Sequence, residues 1–300
     1  MSMDGLLLVD KAAGMTSHDV VDRVRKAVGL RRVGHTGTLD PGATGLLVIC
    51  LGAATRLSEH LTGLDKVYEG RMRLGVVTDS YDLDGAVVEE RPVPELTLAA
   101  IQAVCDGFVG DIMQVPPMVS AVKVGGKRLY KMARMGEDVE REPRPVTVLS
   151  FDVLDWTPPE AGLRVCCGSG TYVRSLCHEA GQTLGCGAVL ASLRRTRVGV
   201  FDVANALTLE ELSDRGLVAE RLIPMDRALD LPVVVVDRAR AAILMNGGTI
   251  VSSGSVDGAD SLSGVVQIKS EEGRLLALGM ATPTAAGVRV HPRRVFAALQ

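Results

Sequence analysis

Two periods of apolar residues run along the chain, and each predicts a type of secondary structure. A helix is predicted over 17–28, because apolar side chains recur on one face, Ser17 can cap the first turn and Gly29 follows the last. A strand is predicted over 66–74, where Tyr68 lies on the apolar face of an alternating segment. The same criteria predict helices at 54–61, 96–105 and 171–184, and strands at 5–10, 45–51, 146–154 and 162–167.

These helices and strands mingle without a regular β-α-β order, so the sequence predicts an α+β fold with a largely antiparallel sheet. Prolines near 224–232 mark an expected domain boundary. The short strands and glycine turns that follow it predict a compact β-barrel-like module. We therefore expect two domains, residues 1–230 and residues 231–300.

Composition excludes several classes of protein. Hydrophobic residues make up 47% and charged residues 23%, which is typical of globular chains and excludes disordered and fibrous ones. The most apolar run, 45–54, is far shorter than the ~20 residues of a membrane-spanning helix, and the first ten residues lack the basic segment of a signal peptide. Six cysteines without a C-x-x-C pair or zinc spacing indicate reduced, buried thiols and no metal site, so we expect a cytoplasmic protein.

The charged residues are unevenly distributed along the chain. The total is −3, but single stretches differ: residues 11–75 carry +4, residues 76–120 carry −7 and residues 121–200 carry +4. One run has five basic residues and no acidic residue between them; this basic segment comprises Lys123, Lys127, Arg128, Lys131 and Arg134. Charge alone favours a solvated helix face for it, and a face that meets a polyanion is the alternative.

The densest group of chemically capable residues is the segment 34–45, Gly-His-Thr-Gly-Thr-Leu-Asp-Pro-Gly-Ala-Thr-Gly. Pro41 disfavours a helical backbone at Asp40, and the flanking glycines allow another molecule to come close. The segment lacks both G-x-x-x-x-G-K-[ST] and G-x-G-x-x-G, so it is not a phosphate loop of either type. Two interpretations stay open: a structural loop in which Asp40 binds local amides, and a site with a functional carboxylate.

Further motifs give this segment a context. In order along the chain they are Leu-Val-Asp-Lys at 8–11, Gly-Met-Thr-Ser at 14–17, Lys-Val-Tyr at 66–68, Thr-Asp-Ser-Tyr-Asp-Leu-Asp-Gly at 78–85, Pro-Met-Val-Ser-Ala-Val-Lys at 117–123, Gly-Ser-Gly-Thr-Tyr-Val-Arg at 168–174 and Leu-Arg-Arg at 193–195. With segment 34–47, over about residues 5–225, the chain resembles the bacterial TruB family of tRNA pseudouridine synthases. It departs from that family at Ser169, where many relatives have lysine, and at Tyr81, where a smaller residue is usual.

The resemblance implies a fold and a reaction. The fold is that of pseudouridine synthases, with a thumb-like insertion at about 117–144 and a C-terminal PUA-type RNA-binding domain. The reaction converts uridine-55 in the T loop of tRNA to pseudouridine: the C1′–N1 bond breaks, the uracil turns, and C5 bonds to C1′. Because nothing is oxidised or hydrolysed, this isomerisation requires no cofactor and no metal.

The resemblance also implies roles for single residues. Asp40 is the nucleophile, and Arg174 lies beside it, orients its carboxylate and lowers its pKa. Tyr68 packs on the uracil and assists a later proton transfer. His35 stacks in the space that the flipped-out base leaves, and Tyr172 and Leu193 form the remaining walls of the pocket.

Residues around this pocket have supporting roles by the same resemblance. Asp82 bonds Arg174 or neighbouring backbone, and Lys11 is structural or lies near a phosphate. The basic segment contacts RNA phosphates, which position RNA without reading its sequence. The expected partner is therefore the T arm of tRNA, bound by a monomer that needs no membrane and no obligatory protein partner.

Three other functions use related features. A non-enzymatic tRNA-binding or tRNA-folding chaperone could share the scaffold, but binding alone does not need Asp40, Tyr68 and Arg174 together. The guide-RNA-dependent branch of these synthases usually lacks the thumb and has terminal extensions, whereas this chain has the insertion and begins almost at its first strand. A retaining glycosidase needs a second carboxylate ~5 Å from the first, and no motif supports one.

Overall fold

The computed structural model describes residues 3–120, 122–129, 132, 135, 139–252 and 262–296. The described helices are α1 Ser17–Val28, α2 Ser58–Thr62, α3 Leu98–Asp106, α4 Val173–Thr183, α5 Arg215–Glu220 and α6 Arg238–Met245. The strands are β1 Gly5–Lys11, β2 Val33–His35, β3 Thr44–Leu51, β4 Lys66–Leu74, β5 Val76–Thr78, β6 Val87–Glu90, β7 Gly110–Gln114, β8 Lys123–Val124, β9 Lys127–Arg128, β10 Arg144–Thr157, β11 Glu160–Cys167, β12 Ala188–Val198, β13 Phe201–Asp202, β14 Ile223–Pro224, β15 Val233–Val236, β16 Ile250–Ser252, β17 Gly264–Ser270, β18 Leu275–Thr284 and β19 Gly287–Val295. Short 3-10 turns occupy Gly52–Leu57, Val203–Asn205, Glu211–Ser213 and Met225–Arg227.

A ten-stranded sheet organises most of the chain. Its main path runs β14-β1-β3-β12-β4-β11-β10-β7, with β2 beside β3 and β13 beside β12. Neighbouring strands are antiparallel except β12 and β3, which run parallel where Arg195 faces Gly45. The expected α+β fold with a largely antiparallel, mixed sheet is thus confirmed.

Strands β1 and β3 have apolar side chains on both faces, which explains their continuous hydrophobic sequences. Leu7 and Ile49 point to one core with α1, whereas Leu6 and Val48 point to a second core on the opposite face. Helices α3 and α4 cover another part of the sheet, where Phe151 is buried. The sheet is therefore covered on both sides around β3, next to the segment that carries Asp40.

Helix α1 has the predicted bounds but not the predicted cap. Thr16, rather than Ser17, accepts the amide of Asp19, and Asp19 bonds back to the Thr16 amide. The Ser17 hydroxyl is instead buried, where it donates to the Leu39 carbonyl and accepts the Leu39 amide. The prediction that Ser17 caps the helix was therefore wrong, because Ser17 ties α1 to the segment before Asp40.

Two other predictions differ from the structure. The helix predicted over 54–61 is a 3-10 turn followed by the five-residue α2, and the Thr55 hydroxyl bonds the Gly52 carbonyl within that turn. Strand β12 was not predicted, although it lies at the centre of the sheet. Its sequence lacks the alternation of apolar and polar residues that is typical of a strand, because the charged Arg195 occupies a buried position.

The C-terminal strands form a second sheet in the order β15-β17-β18-β19-β16, with their own core that includes Val234 and Val290. This sheet is attached to the 3-10 turn and α2. Arg56 donates to the Val295 carbonyl at 2.7 Å, and Leu278 and Phe296 join the core formed by those segments. Among the described residues, no helix has the length and apolar character needed to cross a membrane.

Candidate active site

Asp40 lies between two residues that are each tied to the N-terminal elements. Leu39 is held by Ser17, as described above. The Pro41 carbonyl accepts the Gly14 amide at 2.9 Å and the Lys11 ammonium at 3.1 Å. The backbone on both sides of the carboxylate is therefore fixed by β1 and α1, as expected for a group that must be held in one place.

Lys11 is a buried structural cation. It is fully inaccessible to solvent, and its Nζ also donates to the Ala12 and Met15 carbonyls. Burial lowers the pKa of Lys11 to about 8, although the Asp40 carboxylate opposes this effect. Of the two expectations for Lys11, the structural one agrees with these contacts, because all three of its acceptors are backbone carbonyls and one of them belongs to Pro41, next to Asp40.

Arg174 joins Asp40 to the loop that follows β5. Its Nε lies 3.0 Å from Asp40 Oδ2, an ion pair without the alignment of a hydrogen bond. A terminal nitrogen lies 3.3 Å from Asp82 Oδ2 and donates to the Ser80 carbonyl at 2.9 Å, while the other donates to the Val119 carbonyl at 2.9 Å. The guanidinium is 3% exposed, so its position is set by the protein rather than by solvent.

The pKa of Asp40 differs in direction from the sequence expectation. Burial in the cleft raises its pKa, and the Asp82 carboxylate adds to this; the charges of Arg174 and Lys11 lower it without cancelling the rise. Arg174 thus lowers the pKa of Asp40, as expected, but the net shift is upward. The physical reason is that the cleft removes more solvation from this half-buried carboxylate than one arginine restores.

Arg195 is the main residue that the sequence analysis did not single out. It is 1% exposed, and its guanidinium donates to the Leu46 carbonyl at 2.7 Å and the Gly37 carbonyl at 3.1 Å. Gly45, with φ +100°, allows this close strand pairing, because a Cβ there would lie 2.3 Å from the Arg195 carbonyl oxygen. The Leu-Arg-Arg motif was the available signal, but it did not show which arginine points inward.

A cleft of about 440 Å³ opens above these groups. Its lining includes all six residues expected to act on the base, which are His35, Asp40, Tyr68, Tyr172, Arg174 and Leu193. Lys66, Ser120, Arg195 and the loop 168–171 also line it. Sites for small ligands typically measure ~300–1,000 Å³, so the cleft has room for one nucleotide. Asp82 and Lys11 are not among its lining residues; Asp82 contacts Arg174, and Lys11 contacts the Pro41 carbonyl.

The aromatic walls of the cleft come from separate elements. Tyr68 on β4 faces Arg195 across the β4–β12 pair, and Leu193 faces Gly70, where a Cβ would lie 2.4 Å from the Ser192 carbonyl oxygen. Tyr172 precedes α4 and is held by Gln114, whose side-chain amide accepts the Tyr172 amide at 2.8 Å and donates to its carbonyl at 3.1 Å. Gln114 is a second residue that the sequence analysis missed.

Burial controls the protonation of the cleft side chains. It raises the pKa of Tyr68 and of Tyr172, so both phenols stay protonated at neutral pH. It lowers the pKa of His35, with the charge of Arg195 acting in the same direction, so the imidazole is neutral; its Nδ1 accepts the Gly37 amide at 3.3 Å. The cleft thus offers neutral rings beside one carboxylate.

The basic segment is described only in part. Strands β8 and β9 pair Lys123 with Arg128 and Val124 with Lys127 across the turn of Gly125 and Gly126, whose φ values are +57° and +82°. The backbone of its first three members is therefore a hairpin and not the helix face considered above. Lys131 and Arg134 lie outside the described residues.

Comparison with known proteins agrees with this site. A family model described as TruB family pseudouridylate synthase (N terminal domain) matches residues 25–173, and one described as tRNA pseudouridylate synthase B C-terminal domain matches residues 174–230. A relative from Opitutus terrae, named tRNA pseudouridine synthase B, is 52% identical over 75% of this chain and 95% of its own. One of the same name from Heliobacterium modesticaldum is 41% identical over 100% of this chain and 98% of its own.

Two solved structures resemble the whole fold. The chain matches a protein in a Cbf5-Nop10-Gar1 complex with a TM-score of 0.77 and 30% identity, over 98% of this chain and 85% of that one. It matches a protein in an H/ACA RNP bound to a substrate RNA containing 2′-deoxyuridine with a TM-score of 0.76 and 27% identity, over 99% of this chain and 86% of that one. On its sequence and its fold, the chain belongs to the TruB family of pseudouridylate synthases.

Proposed function

We propose that this enzyme converts uridine-55 in the T loop of tRNA to pseudouridine, with Asp40 as the nucleophile. The observation that carries the proposal is the Asp40–Arg174 ion pair, 3.0 Å between Nε and Oδ2, in a cleft with room for one nucleotide. The curated relatives described above are named as tRNA pseudouridine synthases, which supports tRNA as the substrate. A tRNA chaperone on the same scaffold would gain nothing from burying Arg174 beside Asp40, because a buried charge costs free energy that binding does not require.

The reaction is an isomerisation in which every atom is retained. The C1′–N1 bond breaks as the ionised Asp40 carboxylate stabilises or attacks the reacting nucleoside, the free uracil turns, and its C5 bonds to C1′. The proton on C5 is then removed, and N1 of the product carries a proton. Arg174 fixes the direction of the carboxylate throughout, because its other donors are bound to Ser80, Asp82 and Val119.

The walls of the cleft suit a base that has left its stack. Flipping costs a few kcal/mol, and stacking on an aromatic ring returns ~1–3 kcal/mol per base. Tyr68 is placed to stack on the uracil and to take part in the C5 proton transfer, and His35 to occupy the space that the base leaves. Tyr172 and Leu193 close the remaining sides, so that water does not carry off the free uracil.

Binding of the rest of the tRNA is assigned to basic surfaces outside the cleft. In this proposal the thumb-like insertion, residues 117–144, presents Lys123, Lys127, Arg128, Lys131 and Arg134 to phosphates of the T arm. Residues 231–300 act as a PUA-type domain beside the catalytic domain of residues 1–230. The protein works as a monomer in the cytoplasm, without an obligatory protein partner, a metal or a cofactor.

The test uses an unmodified tRNA transcript and chemical mapping of pseudouridine. We expect one pseudouridine, at the T-loop uridine, in the reaction with the wild-type protein. A transcript with cytidine at that position is the matched control and should give none. Modification at another position, or no modification by a folded protein that binds the tRNA, would contradict the assignment.

A further inference from the structure

Tyr81, in the loop that contacts Arg174, has an unusual backbone conformation. With φ +66° it is the one non-glycine residue with a positive φ in the described part of the chain. This left-handed conformation is unfavourable for a bulky side chain. Tyr81 is also one of the two positions, with Ser169, at which the sequence departs from the family pattern. A strained tyrosine where a smaller residue is usual indicates that the side chain does something that offsets the strain.

The Tyr81 ring stacks on the ring of His178. Their centroids are 3.9 Å apart and their planes differ by 17°. The His178 Nδ1 is buried and makes no hydrogen bond to any described residue, so polar contacts at that atom do not hold the imidazole against Tyr81. The stack itself is therefore the contact between this loop residue and α4.

This stack lies next to the groups that hold Arg174. His178 follows Arg174 by four residues in α4, so the two side chains lie on the same face of the helix. Three successive loop residues meet that face: the Ser80 carbonyl and the Asp82 carboxylate contact Arg174, and Tyr81 between them contacts His178. Any movement of Tyr81 relative to α4 thus moves Ser80 and Asp82, the two partners of Arg174 that lie in this loop.

The loop is fixed on its other side by the sheet. The Leu190 amide on β12 donates to the Tyr81 carbonyl at 3.0 Å, and the Thr78 hydroxyl donates to the Asp82 carbonyl at 2.7 Å. Tyr81 therefore joins the central strand β12 to α4. Because β12 also carries Leu193 and α4 carries Arg174, this contact sets the distance between two walls of the cleft.

We propose that the Tyr81–His178 stack is a positioning device for the Asp40–Arg174 pair, which it holds in register through Ser80 and Asp82. The inference rests on the proposed function. Neither ring lines the cleft, so both are positioning residues and not catalytic ones. The Tyr81–His178 pair orients Arg174 for the proposed reaction.

The experiment compares Tyr81→Gly with Tyr81→Phe. Glycine relieves the backbone strain and removes the ring, whereas phenylalanine keeps both. We expect Tyr81→Gly to lower the single-turnover rate by about tenfold, the loss that corresponds to one stacking contact. The tRNA dissociation constant should stay within about twofold, because the stack does not line the binding cleft. Tyr81→Phe should restore most of the rate.

The pH profile distinguishes positioning from general loosening. Arg174 lowers the pKa of Asp40, against the larger effect of burial. If Arg174 is displaced, that pKa rises further, so the rate is lost at a higher pH as the solution is acidified. We expect the acid limb of the Tyr81→Gly profile to move upward and that of Tyr81→Phe to stay with the wild type.

Leu83→Gly is the matched control, since it introduces a glycine into the same loop at a side chain that is 48% exposed. It should leave both rate and profile unchanged. A wild-type rate and profile in Tyr81→Gly, or an equal loss in Leu83→Gly, would overturn the inference. Absence of pseudouridine with the wild-type protein would instead overturn the proposed function, so the two failures are distinguishable.

Discussion

The ten-stranded sheet and the C-terminal sheet use positive charge in opposite ways. Around the cleft four cations are almost completely buried: Lys11, Lys66, Arg174 and Arg195 are 0%, 5%, 3% and 1% exposed. In the C-terminal sheet and its turns the arginines are exposed, among them Arg274, Arg289, Arg293 and Arg294, and Lys269 is half-buried. The one polar side chain buried among the described residues of that sheet is the neutral Gln267.

This difference separates two kinds of work. A buried cation has lost its hydration and must bind fixed acceptors, so it holds backbone and one carboxylate in a defined geometry. An exposed cation keeps its hydration and attracts phosphates over a distance that depends on salt. Substitutions in the first region should therefore change reaction rate or stability, and substitutions of exposed cations should change the salt dependence of binding.

The largest effect is expected for Asp40→Asn. Asparagine keeps the shape of the side chain but loses the charge, so the single-turnover rate should fall by ~10⁴-fold or more, the order found when a nucleophile is removed. tRNA affinity should change by less than several-fold. The measurement is pseudouridine formation with enzyme in excess, using a sample checked by mass spectrometry for deamidation back to aspartate. Residual turnover near the wild-type rate would show that Asp40 is not the reacting group.

Two substitutions of Tyr68 distinguish the flipping of the base from the chemical step. Tyr68→Ala removes a stacking surface worth ~1–3 kcal/mol, so both the flipped population and the rate should fall by ~5–150-fold. Tyr68→Phe keeps the ring, and any loss should fall on the proton transfer. A 2-aminopurine beside the target uridine reports unstacking by fluorescence. Normal flipping and rate in Tyr68→Ala would assign Tyr68 to the core alone.

Arg195 tests whether a buried cation holds the segment 34–45. Arg195→Lys keeps the charge but cannot reach both the Leu46 and Gly37 carbonyls, so we expect a loss of ~1–3 kcal/mol in the free energy of unfolding. The neighbouring Arg194 is the matched control: it is 42% exposed and paired with Asp10, and Arg194→Lys should cost ~0–1 kcal/mol. Urea denaturation measures both. Equal effects would contradict a special role for Arg195.

The smallest effect at moderate salt is expected for the hairpin of the basic segment. Replacing Lys123, Lys127 and Arg128 with glutamine should weaken all tRNAs alike and reduce the slope of log affinity against log salt by about 2, since each phosphate contact contributes ~0.7–0.9. The single-turnover rate at saturating enzyme should be unchanged. Filter binding at several salt concentrations provides the slope, and an unchanged slope would mean that this hairpin does not contact phosphate.

The sequence predicted the helices and strands in which apolar side chains occupy one face and polar side chains the other. Helix α1 and strand β4 have the predicted bounds, because the spacing of their apolar residues follows one period throughout. Strand β12 could not be found in this way, since a buried arginine contradicts the pattern of a strand. That arginine is stable inside only because Gly37 and Leu46, distant in the chain, supply carbonyls.

The candidate site divides similarly. The resemblance correctly predicted that Asp40, Arg174 and the four pocket residues would share one cleft, and the structure places Asp82 on Arg174. It did not predict the net pKa of Asp40, because a motif contains the charges of a site but not the loss of solvation around them. Gln114 was missed for a related reason: its partner is the Tyr172 backbone, which carries no sequence signal.

The junction between the two sheets has a consequence for the size of the RNA. Arg56 and the core around Leu278 and Phe296 bind the C-terminal sheet to the segment that leads into α2 and β4. In the proposed function the cleft and the C-terminal sheet both bind RNA. Because these contacts hold the two sheets together, the two surfaces would keep a constant separation and reinforce each other only on a ligand with matching spacing. The protein would then select RNA by its length: an isolated stem-loop would occupy the cleft alone, whereas a complete tRNA would contact both surfaces.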